Sequence, residues 1–201
     1  MRLITVLAIS IIGLLSCATC ATAATPEIEF VLAHGSADEE KTRTEIQQLL
    51  GAYDLSGWIW TRTVVIESGA IPHSHPKLTL STRHYEDRLL LLSTFIHEEY
   101  HWYESARPEQ VAKAIAELRR AYPDVPAGGL DGASDEQGSY LHIVVCYAEY
   151  QKMKALAGEE RARQLMEFWA NDHYRKIYRL ILENEQAVGE VVQHHGLLPK
   201  P

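Results

Sequence analysis

The run His97-Glu98-Glu99-Tyr100-His101 places two imidazoles four residues apart, with a carboxylate directly after the first. On a helix such residues share a face, so both rings can aim a nitrogen at one point about 2.0 to 2.1 Å away, the reach of a zinc ion. Glu98 lies about 100° round the helix from His97. From there it can take a proton from a water on the ion's open position as that water attacks a carbonyl. The run fits H-E-x-x-H, a pattern for metal-assisted hydrolysis.

A catalytic zinc takes three protein ligands, so a third must come from elsewhere. Glu104 follows His101 on the same face, but the seven residues from His97 span about 10.5 Å of helix, too far for both ends to meet one ion. Glu149 is the better candidate, because Leu141 to Tyr150 is strongly apolar and a carboxylate buried there needs a cation or several hydrogen bonds. His142, seven residues earlier and on nearly the same face, is an alternative third ligand or a partner of one. Glu136 and Asp135, in a polar loop, are weaker alternatives.

These residues need a scaffold. Glu27 to Ala33 alternates as a strand, Ser36 starts a helix carrying Ile46, Leu49 and Leu50, and Trp58 to Glu67 reads as a second strand. Leu78 to Thr82 alternates as a third. Asp87 starts the motif helix, whose apolar residues precede the histidines. Pro108 to Tyr122 reads as a helix and Pro123 to Gly138 as a loop bordering the site. Helices follow over Tyr140 to Leu156, Glu159 to Trp169 and Asn171 to about Val192. Strands come first and helices dominate afterwards, an α+β pattern.

A helix, a small sheet, an edge strand and a helix bearing His97-Glu98-x-x-His101 together resemble the N-terminal half of the zincin metallopeptidases, over about residues 27 to 150. The resemblance implies a zincin-like fold, with a small N-terminal sheet and helices followed by an all-helical C-terminal half, Zn2+ held by His97, His101 and a third ligand, and Glu98 as general base. It also implies that the edge strand Leu78 to Thr82 pairs with an extended peptide substrate. A glutamate on a later helix, here Glu149, is similar to the gluzincin arrangement. The metzincin extension needs Gly at 104 and His at 107, where this chain has Glu104 and Arg107. Some zincins stabilise the oxyanion with a His or Tyr, and His173, Tyr174 and Tyr178 are the candidates for that role.

Other clusters read more simply. His73 and His75, flanked by Pro72 and Pro76, share a face if extended and could take a metal, although a rigid polar loop at the cleft rim is the plainer reading. His194-His195 reads as a solvated helix end, where histidine suits the dipole.

The N-terminus predicts export. Met1-Arg2, the apolar stretch from Leu3 to Leu15 and Ala21-Thr22-Ala23 read as a signal peptide over residues 1 to 23, with a competing lipobox at Leu14-Leu15-Ser16-Cys17. The expected product is periplasmic or secreted, lipid-anchored if Cys17 is used, and has no transmembrane span. Residues 24 to 201 then form one domain, of about 178 residues. Net charge is −8, or −9 once Arg2 is lost, which argues against nucleic acid as a partner. Cys146 would be the only thiol left, so no intrachain disulfide contributes. The expected activity is an exported zinc metallopeptidase acting on a peptide or protein; the alternative is a non-catalytic zinc- or partner-binding envelope protein.

Overall fold

The computed structural model describes residues 28–200, so the expected signal peptide, its cleavage site and the alternative lipobox lie outside the described residues. Three strands form one sheet in the order β1 (Glu29–Leu32), β2 (Thr63–Glu67), β3 (Leu78–Ser81), all parallel. Phe30 stands opposite Val64, and Ile66 opposite Leu80. Parallel neighbours need a crossover, and helix α1 (Ala37–Ala52) supplies the first. Its Ile46 and Leu49 are buried in one core with Val64, Ile66, Leu78 and Leu80. Ser36 caps α1 in a capping box with Glu39.

From β2 the chain instead returns through an extended segment. His73 exchanges both backbone hydrogen bonds with Thr79 in antiparallel sense, at 3.1 and 2.7 Å. The side of β3 away from β2 is therefore covered at Thr79, so β3 is not the bare edge that the sequence suggested. The strand expected over Trp58 to Glu67 begins only at Thr63. Upstream, the amides of Trp60 and Thr61 donate to Glu99 Oε2 at 2.7 and 3.1 Å, so a side chain takes donors that a ladder would have used.

Beyond a turn of 3-10 helix at Thr82–His84 the chain is helical: α2 (Arg88–Ser105), α3 (Pro108–Ala121), α4 (Glu136–Ala157), α5 (Glu159–Asp172), α6 (Arg175–Glu183) and α7 (Glu185–His194). Helix α4 is the hub, packing against α2, α3, α5, α6 and α7. Its 22 residues give a rod of about 33 Å that can carry groups to both ends of the core. The single helix expected from Asn171 to Val192 is broken twice, by extended His173 and left-handed Tyr174, then at Asn184. Among the described residues no helix is long and apolar enough to cross a membrane.

Candidate metal centre

Among the described residues five glutamates are almost fully buried: Glu39, Glu98, Glu99, Glu104 and Glu149. A buried carboxylate must be compensated, and four of these are. Glu39 and Glu99 accept backbone amides. Glu104 and Glu149 face histidines. Among the described residues Glu98 has no hydrogen-bond partner, and it lines a cleft of about 670 Å³. Burial first, and then the charge of Glu149, pushes its carboxyl up to about 8. A polar group held at a cleft wall without a partner marks a functional site.

Helix α2 buries its N-terminal two-thirds through Leu90, Leu91, Leu92, Phe95, Ile96 and Tyr100. This packing fixes the rotation of His97 and His101 about the helix axis. Helix α4 lies against α2 and brings His142 to the same point. One nitrogen from each of His97, His101 and His142 falls within 4.8 Å of the other two. The ring centroids are 5.2, 5.6 and 5.2 Å apart. Three imidazoles bound through nitrogen to one tetrahedral zinc would have centroids roughly 5 Å apart, so the donor set fits the ion.

The outer nitrogens strengthen that fit. His97 Nδ1 lies 3.0 Å from Glu149 Oε2, His101 Nδ1 lies 3.3 Å from Glu104 Oε1, and His142 Nδ1 donates to the Gly138 carbonyl at 2.7 Å. Each ring thus has its Nδ1 tied to an oxygen, which leaves Nε2 free as a ligand; metal-binding histidines are held in this way. Burial is also the first cause lowering His97 well below the usual range and His142 to about 3, so both rings are neutral, as a ligand must be.

Glu149, expected beside His97 and His101 as a ligand, stands behind His97 instead. It accepts from Ser93 Oγ and, at 3.0 Å, from Tyr178 Oη, and Ser93 Oγ in turn accepts from Trp169 Nε1 at 2.9 Å. Two helical turns separate His142 from Glu149, so α4 presents one to the shared point and the other to the far side of His97. His97, Cys146 and Glu149 form a second close group, but its oxygens are already hydrogen-bonded and burial keeps the thiol protonated. Glu136 pairs with Arg119 at the surface and Asp135 caps α4, so neither reaches the centre. Glu104, set aside as a ligand on length, holds His101. Sequence reasoning missed that role, although the i, i+3 spacing carried the signal.

Three residues were alternative candidates for the oxyanion role, and the structure separates them. Tyr178 Oη is committed to Glu149. His173 Nδ1 lies 2.9 Å from Asp172 Oδ2, and Asp172 also accepts from Arg83, which holds its carboxyl at about 2. Tyr174 adopts φ 48°, a costly conformation for a bulky residue, and its ring lies 4.3 Å from His142. Among the described residues its hydroxyl has no hydrogen-bond partner, and it lines the cleft. His73 also lines the cleft whereas His75 stacks on Trp102 at 4.3 Å, so the two do not converge on a metal.

Comparison with family models, curated proteins and solved structures gives no match.

Proposed function

We propose that the chain is a zinc-dependent hydrolase of zincin type that cleaves a peptide bond, with His97, His101 and His142 as ligands and Glu98 as general base. What carries this reading is the combination of three imidazoles, each tied at Nδ1 and meeting at one point, with an unpartnered buried carboxylate beside them. A zinc ion held there would polarise a carbonyl and make a water acidic at neutral pH. Glu98 would be the base that takes a proton from a water in the cleft and passes it to the leaving amine. The Tyr174 hydroxyl donates to the oxygen that becomes negative as the carbonyl is attacked. Glu149 and Glu104 keep the ligand rings oriented.

The cleft bears on the substrate. Ile71 is 85 % exposed and Leu130 55 % exposed, and both stand on its wall. They favour apolar side chains beside the scissile bond. The position of His142 on α4 departs from the gluzincin arrangement, where a glutamate completes the site, while the sheet followed by the motif helix supports the broader likeness. The apolar N-terminus supports export.

The deciding test is Glu98→Gln, assayed for zinc content and for hydrolysis of a mixed peptide pool. Retained zinc with turnover abolished is the expected result. An active Glu98→Gln protein overturns the base assignment. Stoichiometric zinc with no turnover in either protein favours the non-catalytic zinc-binding alternative.

A further inference from the structure

We infer that Glu117, His194 and His195 form a second site for a divalent first-row metal ion, remote from the cleft, that ties the end of α7 to α3. One ligand atom of each residue lies within 4.8 Å of the other two. His195 Nε2 is 2.8 Å from Glu117 Oε2, and the His194 and His195 rings are 4.8 Å apart. Two imidazoles and a carboxylate are the donor set of many zinc sites, and tetrahedral zinc spaces its ligand atoms by roughly 3.3 Å, within small rotations of the present arrangement. Hard ions such as magnesium and calcium prefer all-oxygen sets, so the chemistry selects zinc and its neighbours.

The supporting backbone is fixed. His195, Gly196 and Leu197 turn their amides back onto Val191, Gln193 and Val192, which closes the helix end. Carbonyl groups gathered at a helix C-terminus favour a cation nearby. Glu117 sits on α3, whose Val111, Ile115 and Leu118 are buried, so the carboxylate projects from an anchored helix.

The location gives the ion a consequence. Tyr100 Oη donates to the Leu197 carbonyl at 2.5 Å, and Tyr103 Oη to that of Gly196 at 3.4 Å. Both tyrosines belong to α2, the helix of His97 and His101. An ion binding α7 to α3 therefore holds in place the segment that braces the back of the motif helix. Its role is structural, since none of its three residues lines the cleft.

The test is calorimetric titration of the metal-stripped, tag-free full chain with zinc chloride, beside His194→Ala/His195→Ala and, separately, Glu117→Gln. The parent is expected to take up two equivalents at micromolar zinc and the double variant one. Glu117→Gln should weaken the second equivalent at least about tenfold, because losing a ligand costs no less than losing an outer partner. Zinc should also raise the Tm of the parent more than that of the double variant. Equal stoichiometry in parent and double variant overturns the second site. If the parent takes one equivalent and the double variant none, the second site stands and the cleft reading fails.

Discussion

His97 Nδ1 lies 3.0 Å from Glu149 Oε2, so the carboxylate that the sequence suggests as a metal ligand instead grips the back of the His97 ring. The two roles predict different losses. His142→Ala should abolish stoichiometric zinc in the cleft. Glu149→Gln should keep the stoichiometry while affinity falls about 10- to 100-fold, the usual cost of losing an outer-shell partner. Competition against a chelator of known affinity measures both. Zinc retained by His142→Ala and lost from Glu149→Gln would reverse the assignment.

Ser93 joins Glu149 to Trp169: its hydroxyl donates to Oε1 and accepts from the indole at 2.9 Å. Ser93→Ala strands a buried acceptor and a buried donor together. Each unsatisfied group costs about 1–3 kcal/mol, so urea unfolding should show a loss of at least that size with an unchanged m-value. A loss below about 0.5 kcal/mol would mean that the chain Trp169-Ser93-Glu149 is not the support drawn here.

Much of the scaffold is legible in the sequence because its signals are local. Asp87 caps α2, Pro108 opens α3, and the alternation over Leu78 to Ser81 marks β3. The roles on α4 were not legible, because a buried glutamate is equally consistent with a cation and with hydrogen bonds. What decides it comes from Ser93, His97 and Tyr178, each at least 29 residues away in sequence. The start of β2 was hidden for the same reason, since Glu99 takes the Trp60 and Thr61 amides from 39 and 38 residues away. Nor does any residue type announce the left-handed turn at Tyr174, where a glycine would be the ordinary choice.

Tyr174 holds its strained backbone next to the three imidazoles with a hydroxyl that burial keeps protonated. Tyr174→Phe removes only the donor. Turnover should fall about 100- to 1,000-fold, as for loss of one oxyanion donor, with KM and zinc content unchanged. Steady-state kinetics on a chromogenic peptide separates the constants. A change of less than about threefold would assign the oxyanion to another group.

Glu39 gives a stability prediction that varies with pH. Burial by itself would raise its pKa, but the amides of Ser68, His34 and Ser36 and the His34 ring reverse that and bring it to about 2, from 4.5. A carboxylate with a depressed folded pKa contributes stability above its unfolded pKa and loses it as pH falls through the folded value. His34 works in the opposite sense: its hydrogen bond to Glu39 raises its pKa from 6.5, so its share is complete below 6.5 and is lost as pH rises. The contribution of this knot should therefore be largest between about pH 4.5 and 6.5 and shrink towards pH 2. Urea midpoints of parent and Glu39→Gln across pH 2.5 to about 8 test it. The gap between the two proteins should narrow at the acid end, as Glu39 takes up its proton and comes to resemble the amide. A gap that stays constant, or widens with acid, would show that the charge on Glu39 is not what holds the start of α1 to the ends of β1 and β2.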